Sequence, residues 1–399
     1  MLEAVDDRNR AWTRMDPNGR ESNPNPQRSG HFPSRVRQTP PQAIPTHPKF
    51  VSIGVHSRLD LPAQVKALAA ELGFDDCRIA AAREAPHAAA FHQWLADGCH
   101  GGMAWLERQP ERRCDPRQVL TDCRAVICLA LNYHPGDSPF PAAAPGGFRI
   151  AKYAWHDDYH GLIEHQLREF DTALQALGGR QRCYVDTGPV LERDFASAAG
   201  LGWNGKSTVQ IHRTLGTWFF LAEILTTLEL PPDPPLADHC GSCTRCLAAC
   251  PTQAITAPHR VDARRCIAYL TIEHQGAIPE EFRSAIGDRI YGCDDCLEAC
   301  PWNRFAQLSR ELTFHARPEL FAMRLRDFLA LDDAAFRSLF ARSPIKRLKR
   351  PRFLRNVCIA LGNTGTAADL PALQQAATDP DPLIAEPAAW ALAQCQLRI

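Results

Sequence analysis

The chain has 399 residues, 45% of them hydrophobic, which is enough for two or three domains with buried cores. Lys plus Arg and Asp plus Glu each number 45, and the resulting formal net charge of zero excludes a protein that coats nucleic acid over its whole surface. No apolar run approaches the roughly twenty residues of a membrane helix, and the first residues lack the apolar core of a secretory signal. We therefore expect a soluble, cytoplasmic protein that does not contact a membrane.

Residues 1–55 are rich in Pro, Arg, Asn and Ser and show no periodic apolar face. A segment of this composition cannot offset the entropy lost on ordering, so we expect a disordered extension, or sequence that precedes the natural start.

The next region, residues 56–235, mixes predicted helices with predicted strands. Apolar residues at helical spacing predict helices over 61–72 and 162–177, each followed by a glycine. Apolar runs predict strands over 125–133, 182–185 and 217–225. This mixture indicates an α/β or α+β domain. A stiff linker, 231–235, ends it.

Cysteine carries the clearest pattern, since eight of the sixteen cysteines lie between Cys240 and Cys300. The first run has spacings of two, two and three residues followed by proline, which is the bacterial ferredoxin pattern. The second run repeats the pattern without its first cysteine, and Cys266 is the natural replacement. Crossed ligation then predicts two sets. The first cysteine set is Cys240, Cys243, Cys246 and Cys300; the second cysteine set is Cys250, Cys266, Cys293 and Cys296.

Two chemistries suit eight clustered cysteines. One alternative is a pair of four-thiolate zinc sites. Zinc ribbons, however, use paired C-x2-C motifs rather than a run of closely spaced cysteines that ends in Cys-Pro. We therefore favour two 4Fe-4S clusters in a ferredoxin-like domain over residues 236–310. Two adjacent clusters conduct electrons, so the preceding domain should hold the electron acceptor. The other eight cysteines are scattered, and we expect them to be buried as ordinary apolar residues.

A glycine-rich loop, Gly200-Leu-Gly-Trp-Asn-Gly-Lys-Ser207, fits two nucleotide-binding patterns letter by letter. Both patterns require a strand before the loop and a helix after it. Here the preceding residues 191–199 are predicted helical and the following residues 208–212 are strand-like, so the order is reversed. We expect the glycines to let the backbone approach some other flat or phosphorylated ligand.

The last segment, residues 311–399, is predicted to be all-helical. Short apolar helices over 353–361, 370–377 and 383–394 alternate with turn residues in a pattern typical of HEAT-type repeats. At its start, residues 341–356 contain seven basic residues and no acidic ones. A run like this is either a solvated face or a phosphate-binding stripe.

Six segments resemble the epoxyqueuosine reductase family, and the likeness extends from about residue 58 to the end of the chain. They are Asp186-Thr-Gly-Pro-Val-Leu-Glu-Arg193, Gly200 to Lys206, Cys240 to Pro251, Arg265 to Glu273 with Tyr291-Gly-Cys-Asp-Asp-Cys296, and Cys300-Pro-Trp-Asn303.

The resemblance implies a fold and an activity. It implies an α+β protein with a mixed-sheet cobalamin-binding domain similar to that of reductive dehalogenases. The implied reaction reduces the epoxide of epoxyqueuosine in tRNA to an alkene, the last step of queuosine synthesis, with cobalamin and two 4Fe-4S clusters. Asp186 would be the proton donor. The implied cofactor-binding residues are Arg108, Asp186, Lys206, Thr208, Gln210 and Leu221.

Each of these roles has an ordinary alternative. Asp186 must be protonated to donate, and desolvation by corrin and nucleobase would raise its pKa, but it could instead cap the following turn. Arg108 could be a solvated helix charge. The segment Asp157-Asp-Tyr-His160 does not fit the D-x-H-x-x-G cobalamin motif, so we expect cobalamin without a histidine ligand.

The implied partners are tRNA carrying epoxyqueuosine and an external electron donor of the flavodoxin or ferredoxin type, and we expect a monomer. Two alternatives from other classes are a reductive dehalogenase, which would not need a basic helical tail, and a ferredoxin-like electron carrier, which would not need so large a preceding domain. The candidate tRNA-binding residues are Lys346, Arg347, Lys349, Arg350, Arg352 and Arg355.

Overall fold

The computed structural model describes residues 61–136 and 147–398, and the predicted extension 1–55 lies outside the described residues. Helices and strands alternate up to the middle of the chain, and helices dominate the last part. In chain order the elements are α1 (Leu61–Glu71), β1 (Asp76–Ala81), α2 (Ala88–Ala96), α3 (Pro110–Cys114), β2 (Ala125–Asn132), β3 (Arg149–Ile150), α4 (Tyr159–Ala176), β4 (Gln181–Tyr184), α5 (Glu192–Ala198), β5 (Trp203–Asn204), β6 (Gln210–Ile211), β7 (Phe219–Thr226), α6 (Arg245–Ala249), β8 (Ile255–Ala257), β9 (Arg260–Val261), α7 (Ile267–Ile272), α8 (Glu280–Ile286), β10 (Arg289–Tyr291), α9 (Asp295–Glu298), α10 (Pro318–Phe321), α11 (Leu325–Leu329), α12 (Asp333–Leu339), α13 (Lys349–Thr364), α14 (Leu370–Ala376) and α15 (Pro382–Arg398).

A four-stranded sheet in the order β1-β2-β7-β4 forms the centre of the first half. Ile79 pairs with Ile127, Leu129 with Ala222, and all three strand pairings are antiparallel. The prediction of a mixed sheet is therefore wrong for this sheet. Strands β2 and β4 do run in the same direction, as a crossover through α4 requires, but β7 inserts between them and makes every neighbouring pair antiparallel.

Strand β2 is buried along its whole length because both faces of the sheet are covered. Its odd-numbered residues, such as Ile127 and Leu129, pack with α1 and α4. Its even-numbered residues, such as Val126 and Cys128, pack with α5 on the other face. This explains why β2 reads as a continuous apolar run rather than as an alternating one. The predicted helices and strands of this region are confirmed.

The glycine-rich loop follows α5 and precedes β6, which confirms the reversed order that argued against nucleotide binding. A Cβ on Gly200 would lie 2.2 Å from the carbonyl oxygen of Pro234, and a Cβ on Gly202 would lie 2.2 Å from that of Ile211. The glycines thus permit close packing of the chain on itself. This packing explains the glycines without a ligand, and the expectation that the loop approaches one stays a prediction.

The cysteine-rich segment is joined to the rest by its last strand. β10 pairs in parallel with β3, more than a hundred residues earlier in the chain. Ile290 and Tyr291 of β10 share one core with Phe148 and Ile150 and with the C-terminal helices α11, α13, α14 and α15. The predicted helical character of residues 353–394 is confirmed.

Seven of the eight scattered cysteines are buried, as expected, and Cys183 is partly buried. Among the described residues, no helix is both long enough and apolar enough to cross a membrane.

Candidate functional site

A cavity of about 670 Å³ lies between the central sheet and the cysteine-rich segment. Aromatic and aliphatic side chains of β7 and the loops around it, including Phe219, Phe220 and Leu221, form one wall. Thr208 and Gln210 also line it, so three of the residues expected to bind the cofactor do meet here. A second, more open cleft of about 700 Å³ adjoins it and shares Trp94, Trp105, Glu192, Arg193, Thr208 and Val261.

The two cysteine sets gather at two separate places. All four members of the second cysteine set line the large cavity. All four members of the first cysteine set line a smaller neighbouring cavity, and Cys296 borders both. Burial raises the pKa of Cys293 to about 12 in the protein alone, so this thiol gives up its proton only when a metal replaces it. The structure thus brings together the same two groups of cysteines that crossed ligation predicts.

Lys206 lies outside the walls of the large cavity. Its Nζ donates to the carbonyl oxygens of Gly241 at 2.6 Å and of Cys243 at 3.0 Å. The ammonium group therefore supports the loop that carries the first cysteine set. These two contacts do not favour a corrin contact for the ammonium group, and the assignment of Lys206 to the corrin site stays a prediction.

Arg108 is exposed and does not line either cavity. Arg113 lines the open cleft instead, with its guanidinium 5.0 Å from the centre of the Trp105 ring. The structure therefore favours the solvated alternative for Arg108.

Asp186 lies at the edge of the open cleft in a left-handed backbone conformation, with φ at +48°. Its carboxylate accepts hydrogen bonds from the Tyr159 hydroxyl and, at 2.9 Å, from Nε2 of His160. Its backbone N–H donates to Oε1 of Glu192 at 2.7 Å. Because the carboxylate meets side chains from the start of α4, the turn-cap alternative does not describe it.

His160 sits between two carboxylates. Its Nδ1 lies 2.7 Å from Oδ1 of Asp158, and its Nε2 faces Asp186. Burial lowers the pKa of His160, but the hydrogen bonds to Asp158 and Asp186 outweigh it and raise the pKa to about 9. At neutral pH the imidazole is therefore a cation that donates to both carboxylates.

A second pair of carboxyl groups lies behind Asp186. Glu192, at the first turn of α5, and Glu223, on β7 and 0% exposed, interact with each other. Burial raises the pKa of Glu192 to about 7 and the pKa of Glu223 well above its ordinary value. The two buried carboxyl groups repel each other when both are ionised, so this pair holds at least one proton at neutral pH.

The basic run separates into two kinds of residue. Lys346, Arg347 and Lys349 are exposed, and Arg347 donates to Oδ2 of Asp158 at 2.9 Å. Arg355 is 0% exposed, and its guanidinium donates to the carbonyl oxygens of one residue in α7 and two residues after it, at 2.5 to 2.9 Å. These three residues are Leu270, His274 and Gly276.

Arg355 is therefore closed off from a phosphate, and its prediction as a tRNA-binding residue is wrong. Arg350 and Arg352 are partly buried and bond to the carbonyl oxygens of Leu331 and Ile272. A charge run in a sequence looks the same whether its guanidinium groups meet water, phosphate or backbone carbonyls.

The comparisons with known proteins agree on one family. Residues 239–303 match the model of a 4Fe-4S double cluster binding domain, and residues 113–187 match the model described as epoxyqueuosine reductase QueG, DUF1730. An epoxyqueuosine reductase of Xanthomonas campestris pv. campestris is 44% identical over 341 residues, which cover 84% of this chain and 96% of that protein. The chain belongs to the epoxyqueuosine reductase family. The family prediction is confirmed.

Other members of the epoxyqueuosine reductase family support the assignment. The enzyme of Shewanella oneidensis is 42% identical over 350 residues, covering 85% of this chain and 88% of the relative. Among solved structures, an epoxyqueuosine reductase with a tRNA-Tyr epoxyqueuosine-modified stem loop matches with a TM-score of 0.78 and 29% identity, covering 84% of this chain and 90% of that chain. The Streptococcus thermophilus enzyme matches with a TM-score of 0.78 and 27% identity, with the same coverage.

Tyr159, His160 and the Glu192–Glu223 pair are not predicted from the sequence. His160 lies in a segment that approaches the cobalamin motif but does not fit it. Its partner Asp186 is 26 residues away in the chain, so spacing alone gives no sign of the contact. Glu223 did carry a signal, because a carboxylate stands in the apolar run Phe219-Phe-Leu-Ala-Glu-Ile-Leu225.

Proposed function

We propose that this chain reduces the epoxide of epoxyqueuosine in tRNA to the alkene of queuosine, in the last step of queuosine biosynthesis. One observation carries the proposal: Asp186, hydrogen-bonded to a histidine cation, borders a cleft that adjoins the cavity lined by the second cysteine set. An acid and an electron path therefore converge on the same space. Membership of the epoxyqueuosine reductase family supports this reaction over a dehalogenase or a simple electron carrier.

Each cysteine set would bind one 4Fe-4S cluster. This proposal rests on the match to a double-cluster domain and on the separation of the eight thiols into two groups. Replacing Cys266 with serine should remove about four irons and leave about four. Cys77→Ser, which changes a buried cysteine outside both sets, is the control and should leave the iron content unchanged. Full iron content in Cys266→Ser would contradict the assignment.

The large cavity and the adjoining cleft suit cobalamin, whose corrin is broad and flat. Apolar and aromatic walls cover such a ring, while Thr208, Gln210 and Arg193 supply a few polar contacts at its edge. When bound, cobalamin would supply a strongly reducing cobalt centre next to the substrate. The second cysteine set already opens onto this space, so electrons need no further protein layer.

The chain's own residues would manage the protons. Converting an epoxide to an alkene takes two electrons and two protons and releases the oxygen as water. Asp186 would donate a proton to that oxygen, and His160, a cation at neutral pH, would return one to the Asp186 carboxylate through the 2.9 Å hydrogen bond. In the protein alone the Asp186 side chain is 46% exposed, so the desolvation expected for it requires the bound ligands.

The remaining features belong to the same proposal. Lys346, Arg347 and Lys349 would contact tRNA phosphates, and of these Arg347 lies next to Asp158. The solved relative with a tRNA stem loop supports tRNA as the substrate class. Helices α13 to α15 would form a HEAT-type repeat, and the division into domains at about residues 56, 236 and 311 stays a prediction. A monomer in the cytoplasm, reduced by a flavodoxin or ferredoxin, completes the proposal.

Anaerobic reconstitution with iron, sulfide and cobalamin tests it directly. We expect about eight irons and one cobalamin per chain, and conversion of an epoxyqueuosine-containing stem loop to queuosine by mass spectrometry. Zinc in place of iron, or a fully loaded protein that leaves the epoxide intact, would contradict the proposed function.

A further inference from the structure

The first cysteine set lies close to the protein surface. Between its cysteines, Gly241, Ser242, Thr244 and Arg245 are all exposed. The small cavity that these cysteines line is bordered by His239 and Trp302. Electrons can therefore reach this set from outside without crossing the large cavity.

Aromatic rings continue from this cavity to solvent. The ring centres of His239 and Trp302 are 5.8 Å apart, and those of Trp302 and Phe305 are 5.5 Å apart. Phe305 is 42% exposed, which is unusual for a phenylalanine among the described residues. An exposed ring beside a cluster site is typical of a contact surface rather than of a core.

Arginines surround these rings. The Arg304 guanidinium lies 4.5 Å from the centre of the Phe305 ring, and Arg213 contacts His239 at 2.9 Å. Arg245 is exposed within the cysteine loop. The three arginines outnumber exposed Asp238, which directly precedes His239. We call this surface the Arg–Trp face; it consists of Arg213, His239, Arg245, Trp302, Arg304 and Phe305.

The two cysteine sets are arranged in series behind this face. Cys296 borders both the small cavity and the large one, so the second set stands between the first set and the proposed reaction space. The open cleft with Asp186 adjoins the large cavity and contains no residue of the Arg–Trp face. Substrate and electrons thus have separate routes into the protein.

We propose that the Arg–Trp face docks a small acidic one-electron carrier, which passes electrons to the first cysteine set. The inference rests on the proposed function, since it requires clusters at both cysteine sets. Two electrons, delivered one at a time by two reduced carriers, balance the two-electron, two-proton removal of the epoxide oxygen as water. Positive charge attracts the acidic partner, and exposed aromatic and arginine side chains suit a small, transient interface.

The test compares two charge reversals in the reconstituted holoenzyme. Arg245→Glu with Arg304→Glu changes the face; Arg168→Glu with Arg182→Glu changes exposed arginines on α4 and β4. Binding is followed by chemical-shift changes of ¹⁵N-labelled oxidised flavodoxin, and cluster reduction by stopped-flow absorbance with reduced flavodoxin, both at several salt concentrations. Reduction by dithionite, a small reductant, and iron content report whether each variant is folded and loaded.

We expect the face variant to lose binding and to be reduced by flavodoxin at least about tenfold more slowly at low salt, with a flatter salt dependence. Its dithionite rate and iron content should match those of the control. Wild-type flavodoxin binding in the face variant would overturn the inference. So would a face variant that loses affinity for the tRNA stem loop but not for flavodoxin, since the face would then bind RNA.

These results are separable from the proposed function. With dithionite as the reductant, the face variant should still convert the epoxyqueuosine stem loop at the wild-type rate. A wild-type enzyme that is reduced by flavodoxin but leaves the epoxide intact would contradict the proposed function and leave the docking face supported.

Discussion

Asp186 is held between a neutral donor and a charged one. Tyr159 and His160 follow each other at the start of α4, where Asp158 caps the helix, so one short segment supplies both donors and the second carboxylate. The left-handed backbone of Asp186 costs about 1 kcal/mol or more in a non-glycine residue. The hydrogen bond from its N–H to Glu192 helps to maintain that conformation.

Replacing Asp186 with asparagine keeps the size of the side chain but removes the acid. We expect turnover of the epoxyqueuosine stem loop to fall by about 100- to 10,000-fold, the usual contribution of a general acid. Single-turnover kinetics with dithionite-reduced enzyme measure this step. Glu169→Gln, at an exposed position of α4, is the control. Wild-type turnover in Asp186→Asn would rule out the acid role.

The buried Glu192–Glu223 pair makes stability depend on pH. In the folded protein the pair keeps a proton that the unfolded chain releases, so the free energy of unfolding falls as pH rises from about 4.5 through about 7. Replacing Glu223 with glutamine should make this decline shallower over the same interval. Urea unfolding at a series of pH values measures it, with exposed Glu281→Gln as control. An unchanged slope would show that the pair does not share a proton.

His160 also makes the stability depend on pH, but here the fold favours the charged form of the side chain rather than the neutral form. Its raised pKa means that the cation stabilises the fold fully below pH 6.5, and that this stabilisation is lost as pH rises through about 9. The carboxyl pair and His160 change the free energy of unfolding over adjoining pH intervals. The unfolding of Glu223→Gln and of the wild type is therefore best compared below pH 6.5, where His160 does not contribute to the slope.

At the scale of elements, α13 is fastened to the cysteine-rich segment by its arginines. Arg355 and Arg352 reach the carbonyl oxygens at the end of α7, the helix that begins directly after Cys266. Asn356 adds hydrogen bonds from its Nδ2 to the carbonyl oxygens of Thr271 and Ile290. The C-terminal helices therefore help to position a member of the second cysteine set.

Replacing Arg355 with alanine removes a buried cation and leaves three carbonyl groups without their donor. We expect the free energy of unfolding to fall by about 3 kcal/mol or more, because each unpaired buried group costs about 1 to 3 kcal/mol. Chemical denaturation measures the loss. Arg337→Ala, at an exposed position of α12, should change it by less than about 0.5 kcal/mol. Equal losses of stability in both variants would contradict the stabilising role of the buried Arg355 hydrogen bonds.

Local spacing explains which elements the sequence predicts well. The cysteine sets follow from two-residue spacings that bring thiols together within one loop, and the apolar runs of β2 and β7 locate the strands. The order of those strands depends on β7 inserting between β2 and β4, which no local pattern encodes. The contacts of Asp186, Lys206 and Arg355 are likewise made by residues distant in sequence, so their roles could not be read from composition.

For the whole molecule, the exposed part of the basic run offers a test of tRNA binding. Lys346→Gln with Lys349→Gln removes two exposed charges without touching the arginines that bond to carbonyls. We expect weaker binding of the stem loop and a salt dependence reduced by roughly 0.7 to 0.9 per lost phosphate contact. Fluorescence anisotropy at several salt concentrations measures both. Arg168→Gln with Arg182→Gln is the control, and identical slopes in the two double variants would exclude this segment.

The position of the second cysteine set in the wall of the large cavity also constrains the order in which the cofactors bind. All four thiols of the second cysteine set open onto the space that a corrin would fill. A molecule bound there would cover the thiols and block the delivery of iron and sulfide. If cobalamin occupies this space as proposed, the cluster of the second cysteine set has to be assembled before the cofactor binds.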